Sequence, residues 1–333
     1  MGKLSIENLK KLLKYIREDP RVIVPPLPGF DSGVHLMNDK YLVVSTDPCI
    51  GVPKEWFGWF LIHYVASDLA LFGARTQFCT INLLGPPSTK PQVFFRIMKQ
   101  VSKVAEELDT LIVTGHTGTY EGLSTLVGIC TGYGVVDKDK LITPGNAQPG
   151  DYILCTKPIG LEIAINFALT HKALAENLFG PEKSRRLAKL VNMQTCVNEA
   201  LLLAKTDGVH AMHDATEGGL AAALNEMAEA SEVGFILEWD SIQIPEEVQI
   251  LQDKFQLSDE QVLSMSSTGT IIGAVSPEAK DRIQETLHES NIDSTFVGSF
   301  TKDDHRIFVR NEQATSFPRR ADDPYERILA GNL

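Results

Sequence analysis

The sequence predicts an α/β (α+β) fold in two domains, and three observations carry that prediction. Strand-like runs alternate with helix-period segments in both halves of the chain. The densest cluster of turn residues, Asn146-Ala147-Gln148-Pro149-Gly150-Asp151, falls near the middle. The length of 333 residues suits two domains of roughly 150 residues each. Residues 1–149 are therefore read as an N-terminal domain and 150–333 as a C-terminal one.

Taken in order, Ser5 is placed to cap a helix whose Leu9, Leu12, Leu13 and Ile16 share one face until Pro20. A Pro-rich passage leads to the loop Phe30-Asp31-Ser32-Gly33. Tyr41 to Ser45 reads as a buried strand ending at Thr46-Asp47. Ile62, Val65, Ala66 and Leu69 mark a helix stopped near Gly73. A strand over Thr76–Leu84 and a helix through Phe94, Ile97, Val101, Val104 and Leu108 follow. Leu111-Ile112-Val113 is a strand expected to break at Thr114-Gly115-His116-Thr117-Gly118, and Leu126–Val136 is a further strand. The second half opens with a strand at Tyr152–Thr156, a glycine turn and a helix, then a longer helical region from Pro181 to Lys205. Val209–Met212 is a strand leading into His213-Asp214-Ala215-Thr216-Glu217-Gly218-Gly219 and a helix through Leu220, Leu224 and Met227. Strands at Gly269–Val275, Ser294–Gly298 and Arg306–Val309 complete the reading.

Composition narrows the function classes. Lys plus Arg is 31 against 43 Asp plus Glu, a formal charge of −12. Such a surface repels phosphate backbones and anionic lipid heads, which argues against nucleic-acid and membrane partners. No apolar run is long enough for a membrane span, and the charged N-terminus lacks a signal-peptide core. Five scattered cysteines without a C-x-x-C pair read as reduced thiols, so a cytoplasmic location is expected.

Three aspartates hold similar places in their elements: Asp31 in a glycine-flanked loop, Asp47 after a strand, Asp68 inside an otherwise apolar helix. Taken singly, Asp31 and Asp47 read first as turn or cap residues. Asp68 does not, because an apolar helix face is a poor place for a carboxylate. As a set they suit a hard cation such as Mg²⁺, which takes carboxylate oxygens and keeps positions for water and phosphate. Ile112-Val113-Thr114-Gly115-His116-Thr117-Gly118 ends a buried strand in glycines and hydroxyls, where backbone N–H groups approach an anion closely. His116 there suits a phosphate or metal contact, or a turn carbonyl. The run from Asp214 to Gly219 fits an anion-binding helix start and an ordinary helix capped by Asp214 or Thr216 equally well. No Walker A loop, G-x-S-x-G elbow, H-E-x-x-H or G-x-G-x-x-G run is present.

In order, these segments resemble one superfamily: AIR synthase, thiamine-monophosphate kinase, selenophosphate synthetase and the hydrogenase maturation factor HypE. The likeness runs from Gly29 to Gly273. Gly29-Phe30-Asp31-Ser32-Gly33 resembles the family's G-x-D-A-A loop, and Ser45-Thr46-Asp47 its strand-ending T-D. Ser67-Asp68-Leu69-Ala70-Leu71-Phe72-Gly73-Ala74 is similar to its S/N-D-x-A-x-x-G-A helix. Gly115-His116-Thr117 stands where many members have G-D-T. His213 to Leu220 resembles HypE's D-P-T-R-G-G-L, and Ser267-Thr268-Gly269-Thr270 its S-E-G-T. HypE and HypE-like AIR-synthase-related proteins are the nearest likeness, through KLSIENLKKLL and KPIGLEIA.

The resemblance implies an N-terminal α/β domain that forms a homodimer through a shared β-barrel, a C-terminal α/β domain, and ATP with Mg²⁺ between them. By the same resemblance Asp31, Asp47 and Asp68 hold metal, and Thr46, Gly115, Thr117, Thr216, Gly218 and Gly219 bind the nucleotide. Asp214 faces the transferred phosphoryl group, with His116 as a second catalytic candidate. Three features depart from the pattern: His116 for aspartate, Glu217 for the HypE arginine, and a tail, PYERILAGNL, without the HypE cysteine. The expectation is an ATP- and Mg²⁺-dependent enzyme that phosphorylates an oxygen, amide-type or phosphate, of a small-molecule or protein acceptor. The alternatives are a non-catalytic nucleotide-binding partner in metalloenzyme maturation, and a kinase like thiamine-monophosphate kinase.

Overall fold

The computed structural model describes Leu4 and residues 6–330; the Ser5 cap lies outside the described residues. Two compact units are present, one of residues 12–141, the other running from Ile142 onward and taking in the described residues up to Lys11. The change-over thus falls just ahead of the turn cluster at 146–151. Helix α1 (Ile6–Leu13) stops short of Ile16, and Lys10 reaches Glu229 at 3.1 Å in an exposed ion pair. Among the described residues no helix is long and apolar enough to cross a membrane.

The first unit is a six-stranded sheet with helices on one face. Its elements are β1 (Val22–Val24), β2 (Gly33–Met37), β3 (Lys40–Ile50), α2 (Phe57–Leu71), β4 (Phe78–Gly85), α3 (Pro91–Glu107), β5 (Leu111–Thr119) and β6 (Val127–Val136), with strand order β1-β2-β3-β6-β4-β5. Only β4 and β5 run parallel, and α3 supplies the crossover that a parallel pair needs. Helix α2 is buried almost all round, with Phe57, Phe60, Leu61, Val65 and Leu69 against the sheet and α3. It lies that close because β6 alternates glycines on its inner face. A Cβ on Gly132 would sit 2.5 Å from Val65 Cγ1.

Two expectations are corrected here. Strand β3 does not end at Thr46-Asp47; its ladder with β6 continues to Ile50 opposite Val127, so Asp47 lies within the strand. Nor does the chain break at Thr114. Parallel pairing with β4 carries β5 through to Thr119, after an irregularity between Cys79 and Thr80. The ladder supplies partners for backbone groups that would otherwise favour a turn. Strands β1 and β2, three and five residues long, were not foreseen; β1 is the sheet's edge strand.

The second unit is a seven-stranded sheet in the order β13-β12-β9-β11-β7-β10-β8. Its elements are β7 (Tyr152–Thr156), α4 (Leu161–Thr170), α5 (Lys172–Phe179), α6 (Pro181–Leu187), α7 (Val197–Leu203), β8 (Val209–Asp214), α8 (Gly219–Ser231) and β9 (Gly234–Glu238). They continue with α9 (Glu246–Phe255), α10 (Asp259–Leu263), β10 (Ile271–Val275), α11 (Lys280–Glu289), β11 (Ser294–Thr301), β12 (Arg306–Arg310), β13 (Gln313–Ser316) and α12 (Tyr325–Leu329). The long helical region expected at 181–205 is two helices, α6 and α7, divided by the segment that carries Met193 and Thr195.

That division has a physical anchor. Lys157 follows β7 with a left-handed backbone (φ 58°) and is 5% exposed. Its ammonium donates to Thr195 O at 2.6 Å, Gly269 O at 3.0 Å and Met193 O at 3.2 Å, and pairs with Glu199 at 2.7 Å. A buried ammonium is tolerated because every donor finds an oxygen and the charge finds a carboxylate. Lys157→Met leaves Glu199 buried without its cation, so a loss of about 3–5 kcal/mol is expected, read as a lower urea midpoint at constant m. Replacing Glu199 by Leu in the same chain should restore much of it. A single-variant loss under about 1 kcal/mol would mean that the pair is a surface-like contact.

Candidate active site

In the first unit Asp47 lies on β3, Asp68 on α2 and Asp31 in the loop ahead of β2. Asp68, on α2, is 5% exposed and accepts a hydrogen bond from Ser45 Oγ at 2.6 Å. Ser45 and Asp47 alternate with Thr46, so they share the inner face of β3. Asp47 is half-buried and opposite Cys130. Asp31 is half-buried in the bend two residues before β2, whose pairing with β3 begins at Gly33 opposite Val44. Beside Asp31, the buried Ser32 Oγ has no hydrogen-bond partner. Thr46 faces the other way, exposed, donating to Cys130 O at 3.2 Å and lying 2.8 Å from Thr131 Oγ1. The Asp47 and Asp68 carboxylates and the Ser45 hydroxyl are hard oxygen donors of the kind that Mg²⁺ takes.

Gly115, His116 and Thr117 lie on β5, an exposed edge strand, opposite Ile81, Asn82 and Leu83 of β4. A Cβ on Gly115 would stand 2.1 Å from Ile81 O, so this glycine is needed where the two strands approach. His116 places Nε2 against the Tyr120 hydroxyl.

In the second unit two turns are stitched together. Ala215 N–H donates to Thr270 O at 2.9 Å and Ser267 N–H to Ala215 O at 2.7 Å, joining the Asp214–Gly219 turn to Ser267–Thr270. Asp214 ends β8, 4% exposed, and Thr216 Oγ1 reaches its Oδ1 at 3.4 Å. His213 lies between carboxylates, 2.9 Å from Glu226 and 3.5 Å from Asp214. Neither Asp214 nor Thr216 caps α8, which corrects the capping alternative. The cap is Gly218 itself (φ 82°), and Gly219 is also left-handed (φ 58°). Two such glycines turn the chain so that the Gly218 N–H meets Asp323 Oδ2 at 3.0 Å. Asp323 also accepts from Tyr325 N–H at 2.9 Å, from Ser266 N–H at 3.4 Å and from the Ser266 hydroxyl.

Glu162 completes this site. It sits in the first turn of α4, whose start is tied to the same place by Gly160 N–H donating to Ser267 Oγ at 2.6 Å. Its Oε2 accepts from Thr268 N–H at 2.8 Å. Burial pushes its pKa up to about 7 against the pull of the Thr268 hydrogen bonds, with Asp323 and Asp214 adding to the rise. Burial, and then the charge of Glu162, likewise raises the Tyr325 phenol.

The fold is that of an AIR-synthase-type protein, and sequence comparison agrees. The chain belongs to the AIR synthase related family: the N-terminal domain matches over residues 29–136 and the C-terminal domain over 148–310. It is similar to a hydrogenase expression/formation protein of Methanocaldococcus jannaschii, 28% identical over 285 residues, 84% of this chain and 82% of the relative. It is also similar to the carbamoyl dehydratase HypE of Bradyrhizobium diazoefficiens, 27% identical over 297 residues, 87% of this chain and 82% of the relative. Among solved structures, hydrogenase maturation protein HypE in complex with ATP shares the fold at a TM-score of 0.71 and 18% identity, covering 95% of this chain and 96% of that one. Thiamine monophosphate kinase of Aquifex aeolicus does so at 0.70 and 17%, covering 92% and 96%.

Sequence reasoning singled out neither Glu162 nor Asp323. Glu162 carried a usable signal, an acid at the start of a run, Leu161–Leu169, that is apolar but for Asn166, much as Asp68 stands in an apolar helix. Asp323 carried none, since it stands in a run of charged residues that reads as solvated surface. The raised pKa of Glu162 makes a stability prediction. Below an ordinary value of 4.5 the group is protonated folded or unfolded; as pH rises through about 7 the folded state loses stability. Glu162→Gln should match wild type near pH 4.5 and exceed it by on the order of 3 kcal/mol at pH 8. A pH-independent difference in unfolding free energy would refute the burial effect.

Proposed function

We propose that the protein binds ATP with Mg²⁺ and transfers the γ-phosphoryl group to an oxygen of an acceptor, as part of metalloenzyme maturation. The observation that carries this reading is Asp68, a carboxylate buried in an apolar helix and held by Ser45 beside Asp47. Mg²⁺ would be held by Asp31, Asp47 and Asp68, and bound there it neutralises charge on the β- and γ-phosphates. Ser45 fixes the Asp68 carboxylate, Thr46 and the Gly115–Thr117 strand line the nucleotide, and the turn at Asp214, Thr216, Gly218 and Gly219 serves the transferred group. The relatives' hydrogenase-formation and carbamoyl-dehydratase names support an amide-type acceptor and a maturation-protein partner. All five cysteines are buried, and burial pushes the Cys49 and Cys155 thiols up to about 12. Those two thiols are poor nucleophiles.

Phosphorus NMR of the protein with ATP and Mg²⁺ tests the reading. Release of ADP is expected from wild type, with a loss of at least about 100-fold in Asp68→Asn, as for removal of a group stabilising transition-state charge. Equal turnover by both proteins would sink the carboxylate assignment, and MgATP binding with no ADP under any acceptor would favour a non-catalytic partner.

The same reading includes a homodimer paired through the first unit's sheet. Its support is the exposed apolar row on and beside β5: Leu111 is 61% exposed, Ile112 39%, Val113 49% and Phe78 37%. An uncovered edge of this kind is a template for another strand. Sedimentation should give a dimer, and Leu111→Lys with Ile112→Lys a monomer. A wild-type monomer at tens of micromolar would refute it.

A further inference from the structure

In a chain with a formal charge of −12, the second unit gathers positive charge in one place and leaves it unanswered. Arg306 opens β12, and its Nη1 donates to Asn225 Oδ1 of α8 at 2.5 Å. Asn225 is 8% exposed and is held from its other end, Nδ2 donating to Ala221 O and to Pro318 O, each at 2.8 Å. Its oxygen therefore has one orientation, and the Arg306 guanidinium is fixed by it. Arg306 is half-buried, and its Nε–H is buried without an acceptor. A donor left in that state is costly and calls for an acceptor.

The segment after β13 brings a second guanidinium to the first. Phe317, 1% exposed, packs edge-to-face on Phe235, and its N–H donates to Arg306 O at 2.8 Å. Arg319, two residues on, is exposed and donates from Nη2 to Asp304 O at 3.2 Å. Burial, and then the charge of Arg319, pull the Arg306 guanidinium down from its ordinary value; Glu229 and Asp304 act the other way. Neither carboxylate closes the site. Glu229 pairs with Lys10 at 3.1 Å, and among the described residues no carboxylate lies within ion-pair distance of Arg306 or Arg319. Two cations so placed repel one another, and an anion shared between them relieves the repulsion.

Charge and shape select the ligand. A carboxylate carries a single charge, and the two already near the pair leave it unneutralised. A phosphate group brings about two charges near neutral pH and three acceptor oxygens, which planar guanidinium forks match.

We propose that Arg306 and Arg319, with Asn225 fixing the first, form a binding site for a phosphate-class dianion. The ligand is free phosphate or the phosphate end of a small phosphomonoester. The site lies wholly within the second unit. It uses none of the residues assigned above to nucleotide, metal or the transferred group, so it stands or falls apart from the phosphoryl-transfer reading.

Calorimetry on the full chain, without nucleotide or Mg²⁺ and at constant ionic strength near neutral pH, tests this with inorganic phosphate, glycerol phosphate and acetate. Wild type should bind inorganic phosphate saturably below about 50 mM. Arg319→Met alters an exposed side chain whose one hydrogen bond is to a backbone oxygen, so the variant should fold normally. It should weaken phosphate binding at least about tenfold, the loss of a hydrogen bond to a charged group. Arg306→Lys keeps the charge without the fork and should weaken binding to a similar extent. Arg185→Met removes an exposed charge from α6 and should leave the affinity unchanged. In nitrogen-15 NMR the Arg306 Nε–H signal, identified by its loss in Arg306→Lys, should shift with the calorimetric midpoint. Glycerol phosphate bound as tightly as inorganic phosphate marks a phosphomonoester as the ligand, and binding of inorganic phosphate alone marks the free ion; both support the site. Acetate bound as tightly as phosphate overturns it. Equal phosphate affinity in wild type and both Arg306 and Arg319 variants overturns it by placing the anion elsewhere, and so does the absence of saturable binding in wild type.

Discussion

The second unit depends on where one ammonium group goes. Lys157 enters the interior at the end of β7 and gathers Met193 O, Thr195 O, Gly269 O and the Glu199 carboxylate around its charge. An ammonium in that position has no inexpensive alternative to full pairing, so the three segments it joins are held at fixed distances from β7. One of them contains Gly269, which places Thr268 against Glu162 and Ser267 against the start of α4. The chemistry-bearing turn is thus positioned by an interaction that takes no part in the chemistry.

Two buried carboxyls, Asp68 and Glu162, and the half-buried Asp323 show three solutions to one problem. Asp323 is satisfied by donors from three separate places in the chain, and so fastens the segment before α12 to the starts of other elements. Asp68 accepts a hydrogen bond from Ser45, which shares the inner face of β3 with Asp47, and hard oxygens of this kind suit a cation. Glu162 has a donor pair in Thr268 but carboxylate neighbours, and there burial wins, moving its protonation toward neutrality. The same side chain type therefore serves as a clamp, as a metal-ligand candidate and as an acid held weaker by burial, according to what surrounds it.

The first unit shows how one sequence pattern can carry two meanings. Glycine and hydroxyl residues at Thr114–Gly118 match the composition of an anion-binding turn, yet the ladder with β4 keeps them extended. Gly115 is required because Ile81 O passes within 2.1 Å of where a Cβ would lie. A glycine marks a close approach of backbone to something, and the sequence does not say whether that is a phosphate or a neighbouring strand. Pairing decided it, and pairing is long-range.

By itself the sequence determined what depends on local periodicity and composition: the alternation of strands and helices, α2 and α3, β7 followed by α4, the family, and Asp68 as an acid out of place on an apolar face. Tertiary structure alone decided the extent of β3 and β5, the short edge strands β1 and β13, and the helices α9 to α12, whose weak patterns are completed by their neighbours. It also decided the cap of α8. Asp323 lies 105 residues from Gly218, and no window of sequence relates the two. The reason is physical: periodicity reports which face of an element is buried, whereas the donor that a buried carboxylate finds depends on which distant segment the fold brings against it.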